Sequence, residues 1–313
     1  MLESKSSVFN ILRCPTTGLP LKKANDQFVI ADDEKQGISY SIINDMPVLF
    51  DFKRSVVDAS LFERRRGESV IVRKNSPLRA FLRRIVNKLE KSTVRNITTF
   101  IDLIEVKEQP RVLIVGGGTI GMGMERIYNH PKINVTAFDI YFSEHGQFIA
   151  DAHHMPLPDN YYDGVIIQAV LEHVLEPAQV VAEIKRVLKT DGIVFAETPF
   201  MQQVHEGAYD FTRYSELGHR YLFKDFDTIA SGYVAGGGTQ LLWSIDYFFS
   251  GLFRSRKAGK LFKLLFFWLK YFDSLIKPPF NIDAASGVYF LGYKKEGACD
   301  AKNIIQQYKG AQK

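Results

Sequence analysis

The stretch Arg111-Val-Leu-Ile-Val115, Gly116-Gly-Gly-Thr-Ile-Gly121 and Ile133-Asn-Val-Thr-Ala-Phe-Asp139 decides the fold. An apolar run breaks into three successive glycines with a fourth at Gly121, and a second apolar run ends on an acidic residue. The order this predicts is strand, glycine turn, helix, strand, with the helix starting at about Thr119. Glycines at 116, 118 and 121 let the backbone turn sharply and let a ligand approach main-chain N–H groups without Cβ interference. Asp139, roughly 20 residues on at the tip of the next strand, can accept both hydroxyls of a ribose. The stretch reads as a nucleotide-type ligand site.

By itself the pattern fits S-adenosylmethionine, NAD or FAD, and it also fits a structural strand-to-helix turn that holds no ligand. The residues that follow narrow the choice. Phe148-Ile-Ala-Asp-Ala-His-His-Met-Pro-Leu-Pro-Asp159 leads to a buried-type strand, Tyr162-Asp-Gly-Val-Ile-Ile-Gln168, and then to Ala169-Val-Leu-Glu-His173. Pro177 to Leu188 carries Val180, Val181, Ile184, Val187 and Leu188 on one helical side, Asp191-Gly192 closes it, and Ile193 to Glu197 is the next strand. This β-α-β-α rhythm predicts an α/β fold with a doubly wound, Rossmann-like parallel sheet, whose ligands sit beyond the carboxyl ends of the strands. The loops after Val115, Asp139, Ala150 and Gln168 therefore converge on one cleft.

In order and spacing, Val115 to Gly121, Asp139, Asp151 to Asp159, Tyr162-Asp163 and Leu171-Glu-His-Val174 resemble the class I S-adenosylmethionine-dependent methyltransferases of the type 11 group. The resemblance covers about residues 105 to 200. It implies that Gly116, Gly118 and Gly121 line the methionine and ribose part of S-adenosylmethionine, that Asp139 holds the ribose hydroxyls, and that Asp151 with Ala152 flanks the adenine. Val115, Gly117, Ile140 and Gln168 complete the cofactor-binding set it implies. Val115 departs from the acidic residue usual before the first glycine, so the ligand's ammonium must find other acceptors, such as backbone carbonyls of the loop.

Beyond Glu197, the segment Gln202-Gln-Val-His-Glu-Gly-Ala-Tyr-Asp-Phe-Thr-Arg-Tyr214 is polar, aromatic and aperiodic. On the ligand side of the sheet it reads either as a substrate loop or as a hydrogen-bonded brace. It also resembles a segment of methyltransferases from polysaccharide and glycolipid gene neighbourhoods. The candidate catalytic residues are His173, His205, Tyr209, Asp210 and Arg213. No metal centre is expected.

Residues 1–55 read as a small β-rich module, with Phe28 to Ile30, Ile38 to Ile42 and Pro47 to Phe50 as strands between turn signals. Leu12-Arg-Cys-Pro-Thr-Thr-Gly-Leu-Pro-Leu21, Gly37 to Ile42 and Asn44 to Leu49 resemble the Trm112-like domains derived from zinc ribbons. Only Cys14 stands where a ribbon needs four ligands, so the module is expected to fold without zinc. Residues 56–108 read as a helical linker. Arg64 to Arg95 is strongly basic, and Leu78, Phe81, Leu82, Ile85, Val86 and Leu89 recur at helical spacing, giving an amphipathic helix with a cationic face for solvent, RNA phosphates or anionic lipid.

The methyltransferase core is expected at 109–240, with Ile229 to Ala235 and Gly287 to Tyr293 as an antiparallel last hairpin. Between them, the helical insertion 241–280 sets Arg254, Arg256, Lys257, Lys260, Lys263 and Lys270 among Phe, Leu, Trp and Tyr, which suits either a cap over the cleft or an anionic membrane surface. Residues 281–313 hold the last strand and a polar tail expected to fray.

The chain has 313 residues, 46% of them hydrophobic, and a formal charge of +5, so a sizeable core is expected and a basic partner surface is permitted rather than required. Cys14 and Cys299 lie near opposite ends, which argues against a disulfide framework and fits a reducing cytoplasm. Apolar runs fall short of the roughly 18 residues that a spanning helix needs. Neither a G-x-S-x-G elbow, nor a G-x-x-x-x-G-K-[ST] loop, nor an H-E-x-x-H pair occurs, which removes the anchors of hydrolase and NTPase readings. The expectation is a methyltransferase whose acceptor is not readable, with a saccharide or lipid-linked glycan favoured. A tRNA or rRNA methyltransferase and a noncatalytic S-adenosylmethionine-binding scaffold stand as alternatives.

Overall fold

Eleven strands form one twisted sheet, and the helices cover its two faces. The computed structural model describes residues 1–31, 37–64, 90–295 and 301–312. In chain order the strands are β1 (Leu21–Ala24), β2 (Gln27–Ile30), β3 (Ser39–Ile43), β4 (Met46–Leu49), β5 (Arg111–Val115), β6 (Asn134–Asp139), β7 (Phe148–Ala150), β8 (Tyr162–Gln168), β9 (Leu188–Pro199), β10 (Phe226–Ala235) and β11 (Gly287–Lys294). Across the sheet they run β1-β2-β3-β4-β7-β6-β5-β8-β9-β11-β10.

Strands β7, β6, β5, β8 and β9 are parallel. β11 enters antiparallel between β9 and β10, which is the expected closing hairpin. The parallel strands are buried on both faces, so they read as continuous apolar runs: Val112 to Val115 and Val165 to Ile167 are at most 6% exposed. The chain order reverses between β5 and β8, and an open α/β sheet splays its loops apart at such a point, leaving a crevice for ligand.

Helices follow from periodicity. Pro177–Val187 starts on a proline, whose missing N–H costs nothing in a first turn, and buries Val180, Val181, Ile184 and Val187. Lys91–Ile104 buries Ile97, Phe100, Ile101 and Ile104 against the opposite face. The basic amphipathic helix expected from Leu78 to Leu89 lies outside the described residues, as does Cys299.

The N-terminal strands share the sheet and the core of the rest. β4 pairs in parallel with β7, and Val8, Leu12, Cys14 and Phe28 pack in one cluster with Leu113, Phe148 and Val165. Asn44 and Asp45, both at positive φ (51° and 59°), make the tight turn from β3 to β4. Cys14 is buried, with its Sγ 3.1 Å from the Tyr40 hydroxyl.

The tail corrects its expectation, because residues 301–312 dock rather than fray. Tyr308 Oη and the Ala311 amide both donate to the Asp283 carboxylate at 2.7 Å, and Ile304 is buried. A buried apolar residue and a shared carboxylate anchor are enough to hold a polar terminus.

Candidate active site

The loops at the carboxyl ends of β5 to β9 enclose a cleft of about 620 Å³. Its cofactor side is built by the glycine turn. Gly116 sits at φ 79°, and the amides of Gly116 and Gly117 both donate to the Phe138 carbonyl, at 3.1 and 2.9 Å, which pins the turn to the end of β6. The neighbours leave no room for side chains. A Cβ on Gly116 would come within 2.2 Å of Val170 Cγ2, and one on Gly118 within 2.5 Å of Asp139 Oδ2.

Asp139 clasps the turn from the next strand: its Oδ2 accepts the Gly118 amide and its Oδ1 the Ile140 amide, each at 2.7 Å. The helix expected from about Thr119 is absent there. Residues 116–124 are loop, and helix covers only Glu125–Tyr128. Gly121 and Gly123, the latter at φ 83°, extend the glycine run, and each glycine costs a helix up to about 1 kcal/mol. The amides that surround the ligand space therefore come from a loop rather than a helix terminus.

Val115, Gly116, Gly121, Asp139, Ile140, Asp151, Ala152 and Gln168 line the cleft. Gly117 and Gly118 stand behind it and shape the turn. Asp151 is fixed from both sides, with Ser55 Oγ on Oδ2 at 2.5 Å and the His153 amide on Oδ1 at 2.9 Å. Burial alone would raise its pKa, but the His153 and Ser55 hydrogen bonds bring it below the ordinary carboxyl value.

Two wall components escaped the sequence reading. The segment before the basic stretch supplies Val56, Val57 and Phe62. Glu197, only 7% exposed, accepts Gln168 Nε2 and Thr93 Oγ1, each at 2.7 Å, and burial raises its pKa.

The other side is built after β8. Ala169 takes φ 55°, unusual for a residue with a Cβ, and its amide donates to the Glu197 carbonyl at 2.9 Å. The chain is thereby aimed into the turn Leu171–His173. The polar loop folds over this turn, with the Phe211 and Thr212 amides donating to the Glu172 carbonyl at 2.8 and 3.3 Å.

Of the five catalytic candidates, His173, His205 and Tyr209 reach the cleft wall. Asp210 and Arg213 stand behind it as a brace. Asp210 accepts the His205 amide at 2.8 Å and pairs with Arg213, whose Nε donates to the Gln202 carbonyl at 2.9 Å. Burial would raise the Asp210 carboxyl, but Arg213 and the His205 amide hold it at about 2. The loop is thus both a cleft wall and a hydrogen-bonded brace.

Glu172 is 0% exposed, and among the described residues neither carboxylate oxygen has a hydrogen-bond partner. Its Oε1 lies 3.5 Å from His173 Nε2 and 3.7 Å from His205 Nε2. At His205, burial lowers the imidazole pKa, but the Glu172 carboxylate and the Gln203 carbonyl outweigh it and the net shift is upward. The sequence signal for Glu172 was its place before His173 in Leu171-Glu-His-Val174.

Residues 115–196 match the family model described as a methyltransferase domain. No curated protein matches the chain. Among solved structures the chain is similar to the cyclase SpnF, at 16% identity over 65% of this chain and 81% of that one, with a TM-score of 0.40. It is similar to phosphoethanolamine N-methyltransferase 2 of Haemonchus contortus in complex with S-adenosyl-L-methionine, at 15% identity over 64% of this chain and 52% of that one, with a TM-score of 0.41. It is also similar to YcgJ of Bacillus subtilis, at 16% identity over 65% of this chain and 99% of that one, with a TM-score of 0.39. The match runs from the last residue of β5 through β8 and most of β9 with the loops at their carboxyl ends, so this part of the Rossmann-like α/β sheet is similar to a methyltransferase domain.

Proposed function

We propose that the protein transfers the methyl group of S-adenosylmethionine to a hydroxyl-bearing acceptor, with a saccharide or lipid-linked saccharide as the acceptor class. The observation that carries the cofactor is the clasp of Asp139 on the Gly118 amide at 2.7 Å, inside the matched methyltransferase domain. Asp139 lines the cleft at the tip of β6, and its carboxylate, an acceptor-only group, is the side chain there suited to ribose hydroxyls. The cleft volume lies in the range of small-molecule sites. With Val115 carrying no carboxylate, the cofactor's ammonium falls to backbone carbonyls of the turn. Val56, Val57 and Phe62 with Ala152 supply apolar wall beside Asp151, which suits adenine.

When bound, S-adenosylmethionine supplies a sulfonium methyl that an in-line nucleophile can take. The chain's part is to orient the acceptor, exclude water and receive the acceptor's proton. His173 and His205 face the acceptor lobe, and Tyr209 lies beside them.

The acceptor class draws support from the insertion. Among the described residues no helix is long and apolar enough to cross a membrane. Yet Phe248, Leu252, Leu265 and Leu275 are 58–74% exposed, and Arg256, Lys257 and Lys260 of the same insertion are exposed too, a combination that suits a headgroup region and a lipid-linked acceptor. The Trm112-like reading of residues 1–55 belongs to the same proposal, supported by its hairpins and by Cys14 packed against Tyr40.

The test combines calorimetry with S-adenosylmethionine and incubation of labelled cofactor with fractionated cell extract. Label in saccharide or glycolipid is expected. Label in RNA, with salt-sensitive RNA binding, would replace the acceptor class, and tight cofactor binding with no turnover on any fraction would make the protein a scaffold.

A further inference from the structure

We infer that Glu172, His173 and His205 form a binding site for one divalent transition-metal ion of the zinc class, on the acceptor side of the cleft. The first ground is donor geometry. One oxygen and two imidazole nitrogens lie within 4.8 Å of one another, with the oxygen 3.5 and 3.7 Å from the two nitrogens. Metal–ligand bonds of about 2.0–2.1 Å at tetrahedral angles place donors roughly 3.4 Å apart, so small side-chain shifts would seat an ion. The same separations are too long for hydrogen bonds between these groups.

The second ground is the state of the carboxylate. Glu172 is wholly buried, and among the described residues no hydrogen bond reaches either oxygen. An ionised carboxylate in this condition is strongly disfavoured unless a proton or a cation neutralises it, and the two imidazole nitrogens beside it suit a metal cation.

The third ground is the orientation of the rings. His173 Nδ1 lies 2.6 Å from the Tyr209 carbonyl, and His205 Nδ1 lies 3.3 Å from the Gln203 carbonyl. A carbonyl can only accept, so each Nδ1 carries a proton, and in the neutral ring Nε2 then presents its lone pair toward Glu172. Imidazoles that ligate metals are held in this way. The brace of Asp210 and Arg213 keeps the loop carrying His205 in place, because Asp210 accepts the His205 amide at 2.8 Å.

Two imidazoles and one carboxylate suit zinc better than magnesium or calcium, which prefer all-oxygen sets. Three protein donors leave at least one coordination position for water or an acceptor oxygen in the cleft. The role of the ion rests on the methyltransferase reading, but its binding does not.

The test uses the full chain after dialysis against chelator. Zinc titrated by calorimetry should bind at one equivalent, and the melting temperature should rise with zinc. Glu172→Gln and His205→Ala should each weaken zinc binding at least tenfold. Cobalt added to the wild type should give the visible bands of a low-symmetry, four- or five-coordinate site, a readout that needs no variant to fold. S-adenosylmethionine affinity, measured on the same samples, separates the two claims: its absence would sink the methyltransferase reading and leave the metal site standing. No zinc uptake by the wild type, or uptake that both substitutions leave unchanged, would overturn the inference.

Discussion

Replacing Asp139 with alanine tests the cofactor assignment at the residue on which it turns. The side chain accepts the Gly118 and Ile140 amides at 2.7 Å and lines the cleft. Each hydrogen bond from a ribose hydroxyl to this carboxylate contributes about 1.5–3 kcal/mol. Losing one such bond weakens binding roughly 10- to 100-fold, since every 1.4 kcal/mol is tenfold, and losing both weakens it further. The substitution also releases the Gly118 amide, so part of the loss comes from a loosened turn. Asp139→Asn separates the two parts, because its amide oxygen can still accept from Gly118 while the charge is gone. Calorimetric titration with S-adenosylmethionine and with S-adenosylhomocysteine measures both variants, with circular dichroism confirming the fold. Unchanged affinity in folded Asp139→Ala, or tight binding of NAD by the wild type, would refute the reasoning.

Four further outcomes follow from other parts of the molecule. Gly116→Ala puts a methyl group at φ 79° within 2.2 Å of Val170 Cγ2, so it should destabilise the protein by about 1–3 kcal/mol in urea unfolding and weaken cofactor binding. Burial would raise the Asp163 pKa, but the Arg111 amide, Lys189 and Lys107, at 3.0, 2.8 and 3.2 Å, lower it. Its stabilisation should therefore be complete above the unfolded value of about 4 and fade as pH falls through the lower folded value, an acid limb that Asp163→Asn should lack in melts from neutral to acid pH. Asp273 accepts the amides of Gly236, Gly238 and Thr239 at 2.7–3.2 Å and so caps helix Gly237–Leu252 from a distance, and Asp273→Ala should cost about 1–2 kcal/mol by the same unfolding assay. Anionic vesicles should retain the wild type in flotation, less so with added salt or after Lys257→Glu and Lys260→Glu, since each basic residue near such a surface adds roughly 1 kcal/mol. Protein that stays wholly in the aqueous fraction would leave the insertion as a cap alone.

What could be read in the sequence was whatever depends on local pattern. Apolar runs without alternation marked the parallel strands, because burial on both faces removes the need for polar positions. Pro177 marked a helix start for a stereochemical reason that acts within a few residues, whereas Asp191-Gly192, expected to close that helix, lies inside β9, the helix having ended at Val187. The helix expected at Thr119 is missing for a local reason too: Gly121 and Gly123 each cost a helix more than the strand-turn-helix pattern returns, and helix begins only at Glu125. The N-terminal strands looked like a separate unit because their own turns are complete, whereas their pairing partner, β7, lies about a hundred residues on.

The site was legible in the same uneven way, and the unevenness explains why its most consequential residue was passed over. Asp139 and the glycines belong to one contiguous motif, so a single window contained them. Glu197 is held by Thr93, 104 residues away in sequence, as well as by Gln168, and Asp151 is fixed by Ser55, 96 residues away. Glu172 was visible in Leu171-Glu-His-Val174, but a glutamate beside a histidine in a polar turn is ordinarily solvated. Two facts change its meaning, its complete burial and the arrival of His205 from the loop after β9, and both are products of tertiary structure. A carboxylate that ends up dry, without hydrogen bonds from the described residues and facing two imidazole nitrogens needs a positive partner, and among the described residues no lysine or arginine pairs with it. If that partner were only a proton shared with His205, cobalt would find no site and zinc would leave the melting temperature unmoved, so the wild-type titration separates a protonated pair from a metal centre.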